Sequence, residues 1–197
     1  MSQDGVNVGR RRFLIGATSV VGAAGAVGVA TPFVKSWNPS AKAKAAGAPV
    51  EINVSKLEAG QQVVAEWRGK PVFIVRRTQE MLKNIEGEDG RVRDPKSNES
   101  EQPDYAKNEF RSREAEYLVL IGLCTHLGCS PKYHPEVVPM DFDAKWKGGY
   151  YCPCHGSKFD LAGRVYKGVP APTNLVVPPY SFKGDGVIVI GVDEENA

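Results

Sequence analysis

Four cysteines and three each of histidine, tryptophan and methionine are all that this 197-residue chain holds of its scarcest side chains. Acid is missing over a long stretch as well, with no Asp or Glu between Asp4 and Glu51. Basic excess is missing from the larger part of the chain. Six of the 25 basic residues and one of the 23 acidic ones precede Gly47, which leaves 19 against 22 beyond it. A mildly acidic head has no electrostatic footprint for nucleic acid, so no nucleic-acid partner is expected. The hydrophobic share of 42% with 24% charged residues excludes wholesale disorder. No internal repeat is apparent.

Charge is also absent from Phe13 to Val34, a run of 22 residues. As a helix this run would span roughly 33 Å, enough for a hydrocarbon core of about 30 Å. Arg10, Arg11 and Arg12 precede it and only Lys35 follows directly. This bias puts residues 1–12 in the cytoplasm, a transmembrane anchor at 13–35 and everything after it outside. Gly9-Arg-Arg-Arg-Phe-Leu-Ile15 has the pattern of a twin-arginine export signal, which carries folded proteins across the membrane. Retention of the anchor is expected, although Ala41-Lys42-Ala43 offers a small-residue cleavage site.

Residues 36–48 (SWNPSAKAKAAGA) read as a hinge or tether that could also hold a short helix. The head, 49–197, then shows β-type runs at Val50–Val54, Val63–Trp67, Pro71–Arg77 and Tyr117–Leu123. Further strands are expected at Gly149–Cys152, Leu175–Val177 and Val187–Gly191, and helical turns from Thr78 to Ile85. Residues 86–113 are polar and read as a surface insertion without chemistry. Many short strands between Pro/Gly turns predict an all-β head.

The cysteines are not scattered. All four, with two of the three histidines, fall in Cys124-Thr-His126-Leu-Gly-Cys129 and Cys152-Pro-Cys154-His155-Gly-Ser157. Each cluster supplies one Cys–His pair and one spare Cys. Two thiolates and two imidazoles suit either tetrahedral zinc or a 2Fe–2S centre in which histidines ligate one iron. Two spare thiols in an oxidising compartment would close a disulfide if they met. His134, beside Pro135, reads as a surface residue, and Trp67, Trp146, Tyr150 and Tyr151 as packing residues.

The paired boxes CTHLGC and CPCHGS, the tether NPSA, the stretch WRGKPVFIVRRT at 67–78 and the loop Gly168-Val-Pro-Ala-Pro172 carry a resemblance. The chain resembles the Rieske iron–sulfur subunits of bacterial quinol–cytochrome c reductase, the cytochrome bc complex. The resemblance implies a Rieske-type head of small antiparallel sheets, its cluster-binding part at about 122–172, behind one N-terminal transmembrane helix. It implies one 2Fe–2S cluster with Cys124 and Cys152 on one iron and His126 and His155 on the other. It also implies a Cys129–Cys154 disulfide, a Ser157 hydrogen bond to the cluster, and a cover formed by Leu127 and the 168–172 loop. His155 would contact ubiquinol and accept its proton while the cluster takes one electron. The electron would pass to a membrane-bound c-type cytochrome, and a cytochrome b subunit would complete a dimeric, proton-translocating complex of the bacterial inner membrane, with the head periplasmic. The alternative is a Rieske small subunit of a periplasmic oxidoreductase such as arsenite oxidase. Two positions depart from the family pattern: Phe159 where its highest-potential members have Tyr, and Val169 inserted between Gly168 and Pro170.

Overall fold

The computed structural model describes residues 5, 7–184 and 186–193. It divides into two compact units, Met1–Ala45 and Ala46–Ala197.

In the first unit, helix α1 runs from Val8 to Ser36. Asn7 caps it, its side chain accepting the Arg10 N–H at 3.1 Å. The three arginines therefore lie inside the helix. The hydroxyls of Thr18 and Thr31 donate back to the Leu14 and Val27 carbonyls, which hides their polarity within the helix. The most apolar window has a mean hydropathy of 1.9, and by length and composition the helix can cross a membrane. Within the tether region, Ala41–Ala46 forms a short helix, α2, opened by Ser40, whose hydroxyl accepts the Ala43 N–H.

The second unit consists, among the described residues, of three antiparallel three-stranded sheets. The first places β1 (Val50–Asn53) at one edge, β9 (Val187–Ile190) in the middle and β8 (Tyr180–Phe182) at the other edge. The second runs β2 (Gln62–Trp67), β3 (Lys70–Arg76), β4 (Tyr117–Ile121). The third runs β5 (Lys132–His134), β6 (Gly149–Cys152), β7 (Ser157–Phe159). Val72–Val75 and Leu118–Ile121 are buried side by side, so both faces of β3 and β4 are covered. Arg68 and Gly69 both adopt positive φ and close the β2–β3 hairpin in the turn whose twist matches the strands. Helix α3 (Gln79–Glu86) starts at Thr78, whose hydroxyl accepts the Met81 N–H.

Two expectations are corrected. Leu175–Val177 is extended but joins no ladder: the Leu175 N–H goes to Gly163 and that of Val177 to Glu101, while the Val176 carbonyl accepts from Ile121. Residues 86–113 are not a surface insertion, because Val92, Ser97, Ala106 and Arg111 are fully buried. Arg111 joins Arg77 and Arg164 inside the head. Their guanidiniums donate to carbonyl oxygens of Phe110, Ala115, Ala162 and Ile85, and Arg164 also pairs with Asp160 at 2.7 Å. Such bonds offset the cost of burying the charge, although Arg111 Nε has no partner among the described residues. Burial pushes Arg77 down to about 10 and Arg111 to about 9, so both stay charged at neutral pH.

Candidate metal centre

Two loops of like construction face each other. The first leaves β4 and reaches β5, and the second is the tip of the β6–β7 hairpin, where Cys152 pairs with Ser157. In each, a buried cysteine opens a tight turn that a left-handed glycine closes. The Gly128 N–H donates to the Cys124 carbonyl at 2.9 Å, and the Gly156 N–H to the Cys152 carbonyl at 3.0 Å. Gly128 and Gly156 have φ of 79° and 72°, a region open to glycine at little cost. The Cys124 N–H also takes the Cys129 carbonyl at 2.7 Å, folding the first loop onto itself.

A disulfide joins Cys129 to Cys154, 25 residues apart, with their Cα atoms 6.7 Å from each other. It ties loop to loop. Cys124 and Cys152 remain free and buried. The Sγ atoms of Cys129, Cys152 and Cys154 lie within 4.8 Å of one another, but two of the three are consumed by the disulfide and cannot ligate. The rings of His126 and His155 meet edge to face, centroids 4.7 Å apart. His126 Nδ1 is buried without a hydrogen-bond partner among the described residues, whereas His155 is exposed.

Burial pushes the Cys124 thiol up. The His126 backbone N–H works against this, the neighbouring Cys152 adds to it, and the Ser157 hydroxyl again works against it. Ser157 is fully buried and is itself held: the Ala171 N–H donates to its Oγ at 3.0 Å. Thr125 fastens the other side of the 168–172 loop, its hydroxyl donating to the Thr173 carbonyl at 2.7 Å. Leu127 stands 69% exposed at the rim. Val169, the inserted residue, packs against the cluster of Val92, Trp146 and Tyr166, so the protein interior absorbs the insertion.

Two free buried thiols, two meeting imidazoles and an orphaned buried ring nitrogen form a donor set that Cys124, Cys152, His126 and His155 could offer to a metal cluster. His134 is not part of it. It ends β5, half-buried rather than on a surface loop, its ring against Phe142 and its carbonyl taking the Trp146 indole N–H. Trp67, Trp146 and Tyr150 are buried, and Tyr151 stacks on Phe142, so the aromatics pack. Thr125 and the Ala171 amide escape sequence reasoning because one is a common residue and the other a backbone group.

Residues 48–181 match the family described as Rieske [2Fe-2S] domain. Residues 1–40 match the family described as the ubiquinol–cytochrome c reductase Fe–S subunit TAT signal. Fold and site thus define a Rieske protein whose cofactor is a 2Fe–2S cluster. The iron–sulfur subunit of ubiquinol–cytochrome c reductase from Allochromatium vinosum is 57% identical over 197 residues, covering all of this chain and 95% of its own. Those of Blastochloris viridis and Rhodospirillum rubrum are 46% and 42% identical, each covering 96% of this chain and 97% and 96% of their own. The chain belongs to the family of Rieske iron–sulfur subunits of ubiquinol–cytochrome c reductase. An apolar N-terminal helix together with a TAT signal fits a membrane-anchored subunit.

Proposed function

We propose that this chain carries single electrons from ubiquinol to a membrane-bound c-type cytochrome, within a complex that also contains a cytochrome b subunit. Cys124 and Cys152 would hold one iron of the cluster, and His126 and His155 the other. The bound cluster supplies a one-electron acceptor, made readier to accept by two neutral imidazoles in place of two thiolates.

The observation that carries this reading is that two disulfide-joined loops supply two free buried thiols and two meeting imidazoles, of which His155 is exposed. An exposed ligand histidine can accept a hydrogen bond from quinol at its remaining ring nitrogen and take the proton there. Leu127 gives the rim an apolar side chain suited to a lipid-soluble substrate. The buried Ser157 hydroxyl, which accepts the Ala171 N–H, would donate its own proton to the cluster and so stabilise added negative charge on sulfur. The Cys129–Cys154 disulfide keeps both ligand loops in register.

The anchor occupies 13–35 with residues 1–12 cytoplasmic, and the head, 49–197, is periplasmic. The tether at 36–48 lets the head move between quinol and cytochrome. Substituting prolines for Ala43 to Ala46 should slow turnover while the cluster spectrum stays unchanged.

The test is an electron paramagnetic resonance spectrum of ascorbate-reduced membranes, recorded with and without an inhibitor of the quinol-oxidising site. A Rieske signal whose line shape responds to inhibitor is the expected result. A Rieske signal indifferent to inhibitor, with copurification of a molybdopterin subunit, would instead favour the periplasmic oxidoreductase. Zinc in place of iron would refute the redox reading.

A further inference from the structure

The 168–172 loop has a holder that the ligand boxes do not reveal. Residues 88–97, inside the segment that looks like a surface insertion, run alongside both feet of this loop. On the incoming side, Val92 bridges Tyr166, the Arg93 N–H donates to the Val165 carbonyl at 2.9 Å, and the Lys167 N–H donates to the Arg91 carbonyl at 2.8 Å. On the outgoing side, the Arg93 guanidinium donates to the Pro172 carbonyl at 3.0 Å. Asn174, buried, joins the two feet and the strap. Its carbonyl oxygen accepts the Val165 N–H at 2.8 Å, and its amide donates to the Asp94 carbonyl at 3.1 Å.

Two polar contacts tie this loop to the site: the Thr125 hydroxyl on the Thr173 carbonyl and, between the feet, the Ala171 N–H on Ser157 Oγ. A hydroxyl that accepts this second bond has its proton left to donate, and the proposed role of Ser157 is to donate it to the cluster. The direction of the Ser157 proton therefore depends on where Ala171 stands, and Ala171 is one residue from the carbonyl that Arg93 grips. Resting on the proposed role of Ser157 toward the cluster, we infer that Arg93 is a positioning residue: its bond to Pro172 fixes Ala171, and Ala171 aims the Ser157 hydroxyl toward the cluster. The strap thereby sets part of the readiness of the centre to accept an electron.

Arg93 is exposed, so its replacement spares the core. It also carries a charge, and the variants must separate charge from grip. Arg93→Lys keeps the charge and a donor. Arg93→Gln keeps a donor without the charge. Arg93→Ala has neither. In the assembled, membrane-extracted complex, redox titration of the cluster signal should show the Arg93→Ala reduced-to-oxidised ratio about threefold lower at fixed potential. That is about 30 mV at about 59 mV per tenfold for one electron. Arg93→Gln and Arg93→Lys should both stay nearer the parent, and deuterium uptake at the Ala171 amide should quicken several-fold only in Arg93→Ala. If Arg93→Gln falls as far as Arg93→Ala while Arg93→Lys does not, the effect is one of charge and the inference is wrong. A parent-like Arg93→Ala potential beside a lowered Ser157→Ala potential would overturn the inference alone. A Ser157→Ala potential equal to the parent's would remove the underlying role of Ser157, and the inference with it.

Discussion

The two cysteine–histidine loops share a turn geometry and differ in what surrounds them. Both open on a buried cysteine and close on a glycine in the left-handed region, at 79° and 72°. The first loop is bonded inward, with the Cys124 N–H on Cys129 and the Thr125 hydroxyl on Thr173, and its histidine keeps a buried Nδ1. The second stands on a hairpin with Pro153, Cys154 and His155 all exposed. Similar turns therefore differ in their histidines: His126 is half-buried in the first loop, and His155 is exposed in the second.

The largest break in this comparison comes from cutting the bond that holds the loops together. Cys129→Ser with Cys154→Ser should destabilise the head by about 3 kcal/mol, the typical effect of releasing a loop of this size. The cluster should be lost with it, read as a fall in iron content and in the thermal unfolding midpoint. An unaltered midpoint would show that the loops face each other without the cross-link.

A gentler break treats the loops alike. A Cβ at Gly128 or at Gly156 meets nothing within 4 Å, so Gly128→Ala and Gly156→Ala pay only for the left-handed backbone, about 1–2 kcal/mol each. Chemical denaturation should give the two variants similar losses. A much greater loss at one of them would mean that the turns are not equivalent.

Phe159 sharpens the comparison on the second loop's side. It is fully buried in β7, two residues past Ser157. By the family resemblance, Phe159→Tyr adds a hydroxyl that can bond a ligand thiolate. One hydrogen bond favouring the reduced form by about 1 kcal/mol corresponds to about 40 mV upward. Redox titration that shows no rise would mean that the missing hydroxyl at Phe159 does not tune the potential.

The smallest effect is invisible at neutral pH. Tyr133, in the strand that follows the first loop, donates its hydroxyl to the Gly60 carbonyl, and burial pushes its phenol up to about 12. The fold thus favours the protonated phenol over the unfolded chain, where it ionises near about 10. Its contribution is complete below that value and is lost as pH rises from about 10 to about 12. Denaturation midpoints across this window should fall in the parent and fall less in Tyr133→Phe.

Much of the site was legible because its residues are scarce. Four cysteines and two histidines in two short boxes leave few arrangements, and the Cys129–Cys154 disulfide expected from the family resemblance is present. The strands β2, β3, β4 and β9 were legible because their apolar runs extend beyond one repeat of the pleat. Strands β5, β7 and β8 are three residues each, too short for alternation to register, and two of them flank the cysteine–histidine loops. The segment 86–113 misled because charge in a sequence reads as surface. Arg111 is buried with its guanidinium spent on backbone carbonyls and on Gln102, and no local pattern announces partners some fifty residues away.

The most direct test of the ligand assignment is pulsed electron paramagnetic resonance on the reduced complex grown with nitrogen-15 histidine. The account predicts two strongly coupled histidine nitrogens, unchanged in His134→Asn. Coupling to one nitrogen or none would contradict it.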